Sequence, residues 1–204
     1  MKETLVMKRF FSLLSAGMAA MMLVASCGLL GGLTGNDSRT YTFDNLPQNL
    51  SQMQKLSISD LTDPYAVAAL TICALARHGS NSRDCFQMLN FLKGPEPVSN
   101  YEFSFINERL QGKEYKSLSF FQGATPANNY TPNRPYKITV SSNPYSFTTD
   151  SEGYKWATLY VTSGGADSPR PIKLRQKKST GEWFLNDIQC LSDIRIPTGQ
   201  SKWD

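Results

Sequence analysis

Three short runs near the carboxyl end constrain the fold most. Ala157–Thr162, Ile172–Lys177 and Trp183–Ile188 each alternate apolar and polar residues. A period of two is the mark of a strand with one buried face. The turns between them are Ser163–Pro171, with Gly164 and Gly165 in it, and Ser179–Glu182. The stretch Tyr154–Leu191 therefore reads as a three-strand antiparallel meander.

Upstream the period is helical. Asp63 can cap a helix and Pro64 suits its first turn. Ala66–Ala76 is apolar nearly all round, which predicts burial on most faces, and Gly79 is expected to end that helix in the left-handed conformation. Ser82 is expected to cap a second helix ending at Gly94 and Pro95. Ser99 and Glu102 form a capping box for a third, with Phe103, Ile106 and Leu110 at core spacing. The period changes at Ser117. Leu118–Phe121 reads as a short strand, Gly123–Pro135 as a loop and Pro135–Ser141 as a strand; Tyr41–Phe43 is a candidate edge strand. Helices followed by strands predict an α+β fold: a three-helix segment packed on an antiparallel sheet of four to five strands.

The amino-terminal end carries the most specific signal. Lys8 and Arg9 precede the short apolar run Phe10–Val24, which is shorter than the roughly 20 residues of a membrane span. Val24–Cys27 then matches the bacterial lipobox. That resemblance implies cleavage before Cys27, lipidation of its sulfur and anchoring to the envelope membrane. Gly28 after the cysteine points to the outer membrane or cell surface, facing the periplasm or exterior. The expected organisation is a lipoprotein signal peptide at 1–26, a glycine-rich lipidated tether and lead-in at 27–62, and one domain at 63–204.

Charge and cysteines narrow the functional classes. Two of the four formal positive charges lie in residues 1–26, leaving +2 for the rest. Lys173, Arg175, Lys177 and Lys178 are the densest basic cluster, read as a solvated strand face rather than a nucleic-acid patch, because no aromatic platform accompanies it in sequence. Cys73, Cys85 and Cys190 leave two readings open: a Cys73–Cys85 disulfide or three buried thiols. Their spacing fits no zinc site, and the single histidine, His78, rules out a His-based metal centre. No phosphate loop, dinucleotide fingerprint or nucleophile elbow is present, and no cofactor is expected.

Five separated segments, Asp63–Leu70, Met88–Pro95, Gly123–Pro132, Ser163–Pro171 and Asp193–Pro197, together resemble an uncharacterised bacterial family, a domain of unknown function found in gut and soil bacteria. The resemblance covers roughly residues 63–203 and implies a self-contained domain, with no activity or catalytic residue to transfer. A looser similarity, of fold alone, is to the NTF2-like cones of several bacterial lipoproteins.

Functional residues concentrate on loops held by a scaffold. Thr125–Pro135, Ser163–Pro171 and Asp193–Pro197 offer Asn128, Asn129, Tyr130, Asp167, Arg170, Asp193 and Arg195, a repertoire suited to a sugar, a peptide or a peptidoglycan fragment. The competing reading is structural: glycines placed for positive φ, Asp167 paired with Arg170, and the two asparagines satisfying loop backbone. The favoured function is a non-catalytic envelope module that binds a glycan, a peptidoglycan fragment or a protein partner. The alternative is an envelope hydrolase or lyase with Asp167 or Asp193 as acid/base.

Overall fold

The computed structural model describes residues 37–200. The leader, Cys27 and the expected docking of Trp203 lie outside the described residues. Among these residues the fold is α+β, with five α-helices, a short 3-10 turn at Pro126–Asn128 and one six-stranded antiparallel sheet. In chain order come β1 (Ser38–Phe43), α1 (Leu50–Gln54), α2 (Pro64–Ala76), α3 (Ser82–Lys93), α4 (Asn100–Leu110) and α5 (Tyr115–Leu118). Then follow β2 (Tyr136–Ser141), β3 (Phe147–Thr149), β4 (Lys155–Val161), β5 (Arg170–Gln176) and β6 (Trp183–Ile188). The sheet runs β1-β2-β4-β5-β6, with β3 paired to β4 beside β2. No helix of the described residues is long and apolar enough to cross a membrane.

Helix α2 is the centre of the core. Every residue from Pro64 to Leu75 is buried, because α2 touches β2, β4, β5 and β6 as well as α3 and α5. Asp63 starts it and also stitches the first strand to it. Its Oδ1 accepts from the Tyr65 amide at 3.0 Å and from Arg39 Nη1 at 3.0 Å, and its Oδ2 accepts from the Tyr41 hydroxyl at 2.6 Å. The segment expected as a lead-in is thus built into the fold: β1 pairs along its whole length with β2, and Met53 and Leu61 are buried.

Several local expectations are corrected. Asn81, not Ser82, caps α3, accepting from the Asp84 amide at 3.1 Å. Gly79 does not take a positive φ; it is small because a Cβ there would strike the Glu114 side chain. Phe103 is half exposed and lies against Phe86, while Ile106 and Leu110 bury as expected. Leu118–Phe121 is no strand. Ser117 and Ser119 hydroxyls donate to the Glu114 and Lys116 carbonyls and close helical turns, and Ser119, Phe120 and Phe121 are buried in succession, which a two-residue period does not allow.

The meander forms as the alternation requires. Trp156 lies opposite Arg175, which lies opposite Phe184; Leu159 lies opposite Ile172. A bulge breaks the β5–β6 register, since Lys173 faces Asp187 while Leu174 faces Leu185, and Asn186 is the extra residue. The bulge carbonyl of Asn186 accepts from the Lys93 ammonium at 3.3 Å.

Candidate functional site

The three loops singled out in the sequence do meet. The Arg195 amide donates to the Gly165 carbonyl at 2.9 Å, the Tyr130 hydroxyl to the Arg195 carbonyl at 2.5 Å, and the Thr198 amide to the Pro126 carbonyl at 3.1 Å. The glycines are there for closeness, not for positive φ. A Cβ on Gly164 would collide with the Ala124 carbonyl oxygen, and one on Gly165 with the Tyr130 hydroxyl and, at 2.8 Å, with Ile194 Cγ2.

Most polar groups here are spent inside the cluster. Asn128 accepts from the Thr125 amide at 2.9 Å and donates to the Gly123 and Thr131 carbonyls at 2.7 and 3.0 Å. Asn129 and Tyr130 both have positive φ, and Asn129 Oδ1 accepts from Gln200 at 3.3 Å. Tyr130 is wholly buried and stacks on Tyr115 at 5.5 Å between centroids, so its ring is not offered to solvent. The ion pairs run crosswise: Arg195 meets Asp167 at 2.9 Å, and Arg170 meets Asp193, where the expected partner of Arg170 was Asp167.

Arg170 and Asp193 lead away from this clasp into a groove of about 590 Å³ between α4 and the β5–β6 end of the sheet. That volume lies within the roughly 300–1,000 Å³ typical of ligand pockets. Ile106, Phe105, Pro171 and Ile188 supply its apolar lining, and Tyr101, 79 % exposed, stands at it. At one end Arg170 Nη2 donates to the Asp193 carbonyl at 2.8 Å and lies 3.8 Å from its carboxylate, while Arg170 Nε is buried with no hydrogen-bond partner among the described residues. The Lys93 ammonium, 8 % exposed at the side chain, lines the groove as well, 2.5 Å from Glu102. Burial works against the Glu102 carboxylate. Hydrogen bonds from Lys93, the Ser99 amide and the Ser99 hydroxyl outweigh it and hold the carboxyl below its ordinary range. Lys93 also lines a second hollow of about 230 Å³, shared with Glu96, Tyr154, Arg175, Lys177, Lys178 and Phe184.

The sequence profile of one family, described as Domain of unknown function (DUF6935), matches residues 45–198. The chain belongs to this family. No curated protein and no solved structure matches the chain. Every residue lining either hollow falls within the DUF6935 match.

What the DUF6935 groove offers chemically is orientation: apolar walls, an aromatic at the mouth, and two cation–carboxylate pairs. Asp193 lines it, with 83 % of its side chain exposed; Asp167 does not. The single histidine lies elsewhere. His78 is buried at the end of α2, its Nε2 2.7 Å from Asn107 Oδ1. Cys73, Cys85 and Cys190 are free and buried, which settles the disulfide question for three thiols. Burial pushes the Cys85 and Cys190 thiols up to about 12, far from reactive thiolates. Among the described residues no group of three or more His, Cys, Asp or Glu side chains is placed to hold a metal ion.

Sequence reasoning missed Lys93, Glu102, Tyr101 and Phe105 as groove residues. The capping box locates Glu102, but the partner that turns it inward comes from another helix. Tyr101, an exposed aromatic four residues before Phe105 on α4, was the available signal.

Proposed function

We propose that this protein is a bacterial envelope lipoprotein, lipidated at Cys27, whose DUF6935 domain is a non-catalytic binding or accessory module. Its ligand is a peptidoglycan fragment, another envelope glycan or a peptide, seated in the groove between α4 and the β5–β6 end. The observation that carries the reading is the groove itself: about 590 Å³, with Tyr101 standing largely exposed at it and Arg170 and Lys93 among its lining residues. An exposed aromatic on a helix beside a polar-studded apolar trough gives a flat stacking face next to fixed donors. The lipobox at Val24–Cys27 supports the location.

Two measurements test it. Mass spectrometry of the amino-terminal peptide should show diacylglyceryl-cysteine in wild type and none in Cys27→Ser. Titration of the full-length protein with soluble peptidoglycan fragments, neutral oligosaccharides and short peptides should give saturable binding that Tyr101→Ala weakens without lowering the melting temperature. Binding unaffected by Tyr101→Ala, or no binding by any of the three classes, would remove the groove from the proposal.

The second reading is an envelope hydrolase or lyase. Asp193 beside Arg170 in the groove favours it. Weighing against it, Tyr130 donates its hydroxyl proton to a backbone carbonyl and Asp167 lines no part of the groove. Turnover of any of these ligands, abolished by Asp193→Asn, would establish it in place of the first.

A further inference from the structure

The second hollow, beyond Lys93, has a different chemistry from the groove. Its walls are the β5–β6 hairpin and the connection after α3. Gly94, at φ +61°, lets that connection lie directly on Phe184, whose ring a Cβ would strike. Three of the four basic residues of the sequence cluster converge here: Arg175, Lys177 and Lys178 line the hollow together with Lys93, while Lys173 does not. Lys93 is matched by Glu102. The other three face one lining carboxylate, Glu96, whose side chain is 76 % exposed and lies 3.8 Å from Arg175 Nη1.

The aromatic support that the linear sequence did not show is supplied by the fold. Arg175 lies over the Tyr154 ring at 4.4 Å and the Trp156 ring at 4.9 Å, and Lys178 lies over Tyr154 at 4.1 Å. Trp156 is fixed in turn by its indole N–H, which donates to Asp150 Oδ2 at 2.9 Å. Lys178 also donates to the Glu152 carbonyl. A ring quadrupole holds a cation without consuming its N–H donors or cancelling its charge. A guanidinium fixed in this way keeps its planar fork for a bidentate oxyanion.

We propose that this hollow is a binding site for one anionic saccharide unit, a single sugar ring bearing a phosphate, sulfate or carboxylate, with Arg175, Lys177 and Lys178 taking the oxyanion. The volume sets the size. At about 230 Å³ it lies below the range of pockets for larger ligands, so it takes one ring rather than an extended chain. The remaining lining suits a sugar: Asn186 brings an amide for hydroxyls, Gln176 keeps its amide oxygen while its nitrogen donates to the Gly181 carbonyl at 2.8 Å, and Phe184 with Pro95 presents an apolar surface for a C–H face. A nucleic acid fits less well, because the Tyr154 and Trp156 rings that bases would stack on already carry cations. The site does not depend on the groove, and its failure would leave the groove reading untouched.

The test is calorimetric titration of the full-length protein with a hexose phosphate, glucuronate, the neutral hexose and inorganic phosphate, at low and high salt. Vesicles containing phosphatidylglycerol and a single-stranded oligonucleotide provide the competing anion sources. The hexose phosphate and glucuronate should bind, more weakly as salt rises, and the neutral hexose should not. Arg175→Gln should weaken binding at least about tenfold, the loss of a bidentate charge-assisted contact. Because Arg175 also packs on two rings, Lys177→Gln is the second variant; its side chain is exposed, so its loss of affinity should leave the melting temperature unchanged. Lys113→Gln, an equal charge change at an exposed site outside the hollow, should bind as wild type. Equal binding of the neutral hexose would overturn the proposal, as would full affinity in both hollow variants. Tighter binding of inorganic phosphate, vesicles or oligonucleotide than of the hexose phosphate would overturn its saccharide part.

Discussion

Gly164→Ala and Gly165→Ala give the sharpest test of why the three loops interlock. Neither glycine has a positive φ, so backbone reasoning alone makes alanine stabilising by about 0.4–1 kcal/mol through the unfolded chain. The contacts give the opposite sign. At Gly164 the obstacle is the Ala124 carbonyl, backbone that cannot swing aside. At Gly165 it is the Tyr130 hydroxyl, whose displacement breaks the hydrogen bond to Arg195, together with Ile194. Overpacking costs about 1–3 kcal/mol and a lost buried hydrogen bond about 1 kcal/mol more. The net is therefore about 1–3 kcal/mol of destabilisation at either site, which for a domain of this size lowers the melting temperature by roughly 3–10 °C. Calorimetric melts of wild type, both alanine variants and Tyr130→Phe would decide it. Tyr130→Phe removes the hydrogen bond without the clash and should cost less than Gly165→Ala. An unchanged or raised melting temperature in Gly164→Ala would refute the close-approach argument.

Other expectations follow from single groups. Asp63→Ala removes the α2 cap and the anchor of Tyr41 and Arg39 at once, and should cost about 2–3 kcal/mol in urea unfolding; Asp63→Asn, which keeps an N-cap acceptor, should cost less. The Glu102 carboxyl is held below its unfolded value, so its stabilising contribution is present above about pH 4 and is lost as pH falls through the lower folded value; Glu102→Gln should flatten that acid limb of the stability–pH curve. The Cys85 and Cys190 thiols are raised to about 12, so the stabilisation is full below the unfolded value near 8.5 and declines as pH rises towards 12. Each thiol contributes a slope of about 1.4 kcal/mol per pH unit in that window, which Cys85→Ala should reduce.

Strand alternation and helix caps were legible because they are set by residues within a few positions of one another. Ala157–Thr162 pairing with Ile172–Lys177, and the Ser99–Glu102 box, are of this kind. Leu118–Phe121 misled because its alternation is too short to outweigh two serine hydroxyls that close helical turns. The loop residues were found as a cluster, and the partners of Asn128 are local, but those of Tyr130, Arg170 and Asp193 depend on distant chain: the Tyr130 acceptor is 65 residues away. The two hollows were the least legible. Lys93 reads as the last charge of a helix, yet it bridges Glu102 on α4 and the bulge on β6. The rings that hold Arg175 lie across a register known only once β4 and β5 are paired.

The pairing of β1 with β2 joins Ser38 to Ser141 and Phe43 to Tyr136. Strand β1 thus has its partner about a hundred residues later in the chain. Closing so long a loop is entropically the most expensive step of sheet formation, and its contacts reward it last. The meander, whose partners are neighbours in sequence, can form at once. Arg39 puts a charge inside β1, and a charge in a strand still unpaired discourages pairing with another copy of the chain.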